Sequence, residues 1–321
     1  MFCFRLPHLV AAALSLAIMA SASASAAAAD TLVAPDPEAG QVAALDGTVV
    51  WVSGAFPSQT LFRHSAATGT TPVKNAVAGR VYRSIDLGHD ASGQLVLTYV
   101  RCRGTGECRV FRDDLNGRAT TINGLVPKRC ELSGVPAIWG NRVAYGLGCY
   151  RVSKGQRVAD GRRSGFYVRN GSKSPRRLAL PKDAIKFGAD EIARVDLRAT
   201  RAAAVAADIY EYVFSQSVGG RGISSFLAVT SEGESTGHVR GLALGAGGVT
   251  WSLAQAEHSD DPKQSIIGRM LGDCLQIERL ASAGPGADFR AGGLAVDGDK
   301  VFLSVPGTGI VRHDFVPERA C

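Results

Sequence analysis

Apolar runs of four to eight residues recur along the whole chain, separated by Gly, Asn, Asp and Ser. Most alternate apolar with polar positions or are rich in β-branched residues, which is strand patterning. Helical periodicity is nearly absent. The clearest exception, Asp190 to Ala207, is Ala-rich, yet it also reads as strand–turn–strand. The pattern predicts an all-β chain.

One arrangement occurs six times: an apolar strand, a tight polar turn and a second apolar strand. The versions are VAALDGTVVWVS from Val42, IDLGHDASGQLVLTYV from Ile85, GVPAIWGNRVAYGL from Gly134, RVDLRATRAAAVAA from Arg194, GLALGAGGVTWSL from Gly241 and GGLAVDGDKVFLSV from Gly292. Their turns centre near Asp46, Ser92, Gly140, Thr200, Gly247 and Asp297, so successive spacings are 46, 48, 60, 47 and 50 residues. This is a repeat of period near 48 with one insertion in the third unit. A second hairpin follows within units. LFRHSAATGTTPV from Leu61 and VFRDDLNGRATTI from Val110 share an apolar-aromatic-Arg start, a polar turn ending in Gly and a Thr-rich strand. FYVRNGSKSPRRLAL from Phe166 and FLAVTSEGESTGHV from Phe226 are looser copies.

Each unit therefore holds four strands, here called a to d. Four antiparallel strands every 40 to 50 residues predict a β-propeller blade. One such sheet cannot bury both faces alone, so blades must stack around an axis. Six units predict six four-stranded blades; a pair of sandwiches or a solenoid is the competing architecture. The sixth unit stops after strand c, Ile310 to Phe315. Thr31 to Val33 is placed to supply its missing strand d and close the ring. The c–turn–d segments, such as FRDDLNG from Phe111 to Gly117, resemble those of six-bladed TolB-like propellers of secreted bacterial proteins. The resemblance spans residues 30–321 and implies architecture only, because such blades serve interaction modules and enzymes alike.

The first 29 residues read as a signal peptide: Arg5, an apolar stretch from Leu9 to Ala20, then a small-residue run with A-x-A sites. The apolar stretch is too short to span a bilayer. Residues 30–321 are then expected to form one propeller domain, secreted or held in the cell envelope. The 28 Arg against 8 Lys, with abundant Ala and Gly, fit a GC-rich bacterial genome. Beyond Cys3 there are six cysteines, an even number that suits disulfides in an exported chain. Cys102 ends strand b and Cys108 starts strand c of the second unit. Cys130 and Cys149 flank the Gly140-Asn141 turn almost symmetrically. Cys274 and Cys321 remain as a third pair, which would clamp the fifth blade to the C-terminus.

Candidate chemistry is sparse. The sequence has no G-x-S-x-G elbow, H-E-x-x-H, Walker loop or G-x-G-x-x-G. It offers no catalytic constellation, no metal site and no cofactor motif. Asp113-Asp114 with Asn116-Gly117 reads as a hairpin turn rather than a calcium loop. Histidines His64, His89, His238, His258 and His313 are scattered over the units.

Charge is the more informative feature. From Lys128 to Lys186 there are 14 Lys or Arg against Glu131, Asp160 and Asp183, while the whole chain carries only +7. Arg151, Lys154, Arg157, Arg162 and Arg163 fall in one segment. Such a patch favours anionic partners. Aromatic interleaving is thin, so nucleic acid is not expected. The longest loops, Tyr150 to Ser164, Ser215 to Ile223 and Ala256 to Gln264, are all assigned between strands b and c. They would share one face, gathering the basic loop, a Gly-rich loop at Val218 to Gly222 and His258, Asp260 and Asp261. The expected function is a non-catalytic binding module for an anionic envelope polymer or an envelope protein. The alternative is a propeller hydrolase or lyase acting on polysaccharide, with Asp208, Glu211 and Asp260 as candidate acids.

Overall fold

The computed structural model describes residues 30–77, 80–103, 108–134, 136–186, 191–207, 211–220, 222–227, 238–256, 264–280 and 291–318. The strands form six antiparallel sheets, one per blade. The first strand, β1 (Thr31–Pro35), stands apart from the blade that follows it. Blade one is β2 (Ala39–Leu45), β3 (Thr48–Ser53), β4 (Thr60–Ser65) and β5 (Gly69–Pro72). Blade two is β6 (Val81–His89), β7 (Leu95–Cys102), β8 (Cys108–Asp113) and β9 (Ala119–Thr121). Blade three is irregular: β10 (Cys130–Leu132), β11 (Ala137–Trp139), β12 (Arg142–Ser153), β13 (Gln156–Ala159), β14 (Gly165–Asn170) and β15 (Arg176–Arg177), followed by α1 (Lys182–Lys186). Blade four is β16 (Glu191–Arg198), β17 (Arg201–Ala207), β18 (Glu211–Ser217) and β19 (Ser224–Leu227). Blade five is β20 (His238–Leu244), β21 (Thr250–Ala256), β22 (Gln264–Leu271) and β23 (Cys274–Leu280). Blade six is β24 (Gly293–Asp297), β25 (Lys300–Val305) and β26 (Gly309–His313), with β1 as its outer strand.

The chain is thus the six-bladed, nearly all-β propeller that the repeat predicts. β1 pairs antiparallel with β26, Leu32 opposite Val311 and Ala34 opposite Ile310. Ala34 and Ile310 are fully buried. Gly309 has φ +131°, and a Cβ there would lie 2.2 Å from the Ala34 carbonyl oxygen, so the seam admits only glycine. The wider spacing in the third unit is taken up by the β12–β13 hairpin and by α1.

Alternation explains the core. In β7, Leu97 and Tyr99 pack against blade one, while Val96, Val100 and Cys102 pack against blade three. Because both faces are covered, such inner strands read as nearly unbroken apolar runs. Each of the six blade interfaces holds its own apolar cluster, that between blades four and five being small: Val205, Val213, Val239 and Ala254. Polar contacts link neighbouring blades at the a–b turns. The Asp297 carboxylate accepts from the N–H of Asp46 (3.1 Å) and of Gly47 (2.7 Å), and Asp46 in turn contacts His89 Nε2 (2.6 Å). The His89 carbonyl accepts from Gly140 N–H, Arg142 donates to the Ala199 carbonyl, and Arg198 donates to that of Leu244.

Two disulfides lie wholly within the described residues, Cys102–Cys108 and Cys130–Cys149. Each joins residues in direct register, the first across β7 and β8, the second across β10 and β12. Cys274 is also disulfide-bonded, and Cys321 lies outside the described residues.

Candidate functional site: the b–c face and the channel

The inner strands of the blades line a narrow axial channel. Near the a–b turns it has space of about 50 Å³, bordered by Asp86, Trp139, Asp196 and Arg198 among apolar neighbours. Toward the b–c connections it has about 40 Å³, bordered by Gln41, Ser84, Arg194 and Arg240. Either space holds a few water molecules and nothing larger.

The polar residues at the second mouth have a common origin. Strand a carries a register shift between Ala39 and Val42, Arg83 and Ile85, Ile192 and Arg194, and Val239 and Gly241. An extra residue in a strand bends it and re-aims its side chains. The extra residues include Gln41, Ser84 and Arg240 in blades one, two and five and Ala193 in blade four, and Gln41, Ser84, Arg240 and Arg194 beside Ala193 border one end of the channel. Arg194 donates through Nε to the Val239 carbonyl, and burial lowers its guanidinium to about 10 despite nearby Glu211. Ser84 alone among these shifted residues adopts a left-handed backbone, φ +46°.

The basic segment of the third unit projects from this same face. Arg151, Lys154 and Arg157 lie on the β12–β13 hairpin, whose turn residues Lys154 and Gly155 have φ of +49° and +78°. A two-residue loop with both central φ positive matches the twist of the strands it joins. All five predicted cations, Arg151, Lys154, Arg157, Arg162 and Arg163, are exposed and close together in the chain's path. Cys130–Cys149 fastens the root of the hairpin. Ser164 Oγ accepts from Cys149 N–H (2.8 Å), and Arg163 donates to the Lys128 carbonyl (2.9 Å). Arg157 stacks over the Tyr150 ring at 4.2 Å and pairs with Glu131 at 3.6 Å.

The sequence reading missed a second group of cations. Arg80, Arg101, Arg103 and Arg109 border a cleft around Cys102 at the same end of blade two. Arg101, Arg103 and Arg109 fall within nine residues, and Arg80 is brought beside them by the pairing of Val81 with Cys102. Between the two groups lies a cavity of about 620 Å³.

Two expectations need correction. Ser215 to Ile223 connects β18 to β19, strands c and d of blade four, so the Gly-rich loop lies at the opposite face from the basic hairpin. Correspondingly, Phe226 and Leu227 belong to strand d rather than opening strand c. The basic block also divides between the faces: Arg142 flanks the a–b turn and Lys173 sits in the c–d turn. The third loop does join strands b and c, β21 and β22, but His258, Asp260 and Asp261 lie outside the described residues, as does Asp208. Glu211 accepts from the Val239 N–H and contacts His238, which binds it into the frame between blades four and five.

Two further acids escaped notice. Asp86 and Asp196 occupy equivalent positions in strands a of blades two and four, where the other four blades have Ala43, Ala137, Ala243 and Ala295. Aligning the six repeats at that position exposes them. Asp196 accepts from the N–H of Leu197 (2.5 Å) and of Leu244 in the next blade. Burial raises its carboxyl to about 6. Burial and the charge of Asp196 together raise Asp86 well above the usual carboxylate range, and Asp86 Oδ2 is buried without a hydrogen-bond partner among the described residues.

No protein-family model matches the sequence, and no curated protein matches it. The fold is similar to solved structures. One is a Hadza microbial sialidase, at 10% identity over 85% of this chain and 64% of that chain, with a TM-score of 0.50. Others are a puromycin-hydrolyzing peptidase from Mycobacterium tuberculosis (12% identity, 90% and 54% covered, TM-score 0.48) and a prolyl endopeptidase (11%, 87% and 40%, TM-score 0.44). The chain spans 40 to 64% of the length of these structures. An identity of 10% to the sialidase shows a shared fold and leaves activity to be argued from the site.

Proposed function

We propose that this six-bladed propeller is exported after loss of residues 1–29 and acts at the cell envelope or beyond as a non-catalytic binding module for an anionic polymer. The observation that carries the reading is the β12–β13 hairpin, which presents Arg151, Lys154 and Arg157, with Arg162 and Arg163 beside it, next to the arginines of blade two. Clustered cations on a rigid frame attract polyanions by long-range steering and contact, and the attraction weakens with salt. Disulfides in adjacent blades support an oxidising compartment. No helix among the described residues is long and apolar enough to cross a membrane.

The test is binding of the oxidised chain to polygalacturonate at low and moderate salt, with wild type compared to Arg157→Glu/Arg162→Glu/Arg163→Glu. Salt-sensitive binding that the triple variant loses is the expected result. Binding that the variant leaves unchanged refutes the hairpin as the site. The same incubation decides the alternative: new reducing ends or unsaturated sugars would make the chain a hydrolase or lyase.

A further inference from the structure

The cavity of about 620 Å³ on the b–c face lies against blade three where its inner strand is interrupted between β10 and β11. Its strand a runs as β10 and resumes as β11, and between them Ser133 still donates its N–H to the Gly146 carbonyl of β12 (3.2 Å). The break is drawn toward blade four. A Cβ on Gly134 would meet Val195 Cγ2 at 2.9 Å, and one on Gly146 would meet Ile192 Cβ at 2.6 Å. The cavity opens on the side of blade two, between Ser133 and Gly134 on one wall and Arg83, Ser84 and Val100 on the other.

Both walls are braced. Cys108 and Cys130 line the cavity, and each is tied by its disulfide to the strand b of its own blade. The left-handed Ser84 sits within the register shift that turns Arg83 and Ser84 toward the space. Strained backbone held by a rigid frame is characteristic of sites that are shaped in advance. Ser133 Oγ is buried with no hydrogen-bond partner among the described residues, an unmet polar group in the wall. Glu131 stands at the rim, where it pairs with Arg157 of the hairpin.

We propose that this cavity is a binding pocket for one acidic sugar unit, a pyranose bearing a carboxylate. This deepens, and rests on, the reading of the b–c face as a polyanion site. The volume falls in the range of about 300–1,000 Å³ usual for small-ligand sites. The exposed guanidinium of Arg83 suits a carboxylate, which it can grip with two parallel hydrogen bonds. Ser84 and Glu131 suit ring hydroxyls. Val100, Val126 and Leu132 suit the C–H face of a pyranose. No aromatic ring borders the cavity among the described residues, so a nucleobase would find nothing to stack on. A bare inorganic anion would leave the apolar wall unused. The polymer's neighbouring units would then run over Glu131 to the hairpin cations.

The experiment titrates the oxidised full chain with free galacturonate, free glucuronate and neutral galactose, followed by calorimetry and ligand-observed NMR. Saturable binding of at least one uronate is expected, at least tenfold tighter than galactose. Arg83→Gln should weaken uronate binding at least tenfold and leave galactose unchanged. Val126→Trp, at an exposed rim position, should block all three. The triple hairpin variant should keep its uronate binding while losing polygalacturonate. Absence of saturable binding to either uronate overturns the pocket, as does binding indifferent to both Arg83→Gln and Val126→Trp. Polymer binding that depends on the hairpin without any uronate binding would reject the pocket and retain the broader reading. Uronate binding through Arg83 with polymer binding indifferent to the hairpin would do the reverse.

Discussion

His313 Nε2 lies 3.0 Å from Glu278 Oε2, joining strand c of blade six to strand d of blade five. Its Nδ1 lies 2.7 Å from Asp30, just before β1. Burial opposes charge on this imidazole, but the bonds to Glu278 and Asp30 outweigh it and raise the group above its usual value. A raised imidazole stabilises the fold fully below the unfolded value of about 6.5, and the contribution fades as pH rises through the folded value. His313→Gln should therefore widen the gap in melting temperature from wild type at pH 5.5 and narrow it at pH 9. Thermal melts at the two pH values measure this, and an equal gap at both would remove the charged pairing from the account.

The β1–β26 seam should be worth far more than its five residues suggest. Deleting residues 30–38 leaves the edge of β26 unpaired and uncovers the apolar cluster around Trp51 and Phe302. The melting temperature should fall sharply. A milder probe is Ala34→Asp, which puts an unpaired charge at a fully buried site and should cost on the order of 3 kcal/mol. An unchanged melt in either case would mean that the ring does not depend on its closure.

Asp86 is expected to weaken the fold at neutral pH. Its raised carboxyl binds a proton more readily in the folded chain, so stability drops as pH rises from about 4 through the folded values. Asp86→Asn keeps an oxygen for the neighbouring N–H groups and removes the like charge facing Asp196. It should stabilise the protein at pH 8 by on the order of 1 kcal/mol and do nothing near pH 4. Urea titrations at both pH values would show it, and destabilisation at pH 8 would contradict it.

The two disulfides should differ in weight. Cys130–Cys149 closes a separation of 19 residues and Cys102–Cys108 one of 6. Loop entropy assigns them about 3 and about 2 kcal/mol. The Cys130→Ser/Cys149→Ser variant should also free the hairpin root, so trypsin should cut at Arg151, Lys154 or Arg157 faster than in wild type. Unaltered cleavage would mean that Ser164 and Arg163 hold the hairpin without the bond.

Much of this fold is legible from pattern because five of the six a–b turns are marked by Gly, Asp or Asn between apolar strands, the exception being Ala199-Thr200 in blade four. The closing strand is legible for a related reason: the sixth unit visibly lacks strand d, and only the segment from Thr31 supplies one. Legibility fails where punctuation fails. Arg201 to Ser217 contains two strands with no Gly or Pro between them. Strand c of blade four is therefore hidden in the sequence, and the Gly-rich loop reads as a b–c connection when it joins strands c and d. The cavity and the second arginine group are less accessible still. Arg80 and Arg109 meet only through β-pairing, and the gap beside Ser133 depends on how far Gly134 and Gly146 let blade three lean on blade four. Asp86 and Asp196 look like ordinary polar positions until six repeats are laid over one another.

The seam between β1 and β26 also sets an order of events during synthesis. Within the propeller, its earliest strand must wait for its latest. Until then every growing chain carries two unsatisfied sheet edges at opposite ends of an open stack. Such edges recruit neighbouring chains. The waiting strand is only five residues long and ends in Pro35, whose ring nitrogen has no hydrogen to donate. It is a poor template for a stranger and an adequate one for its own partner, held nearby by the other five blades.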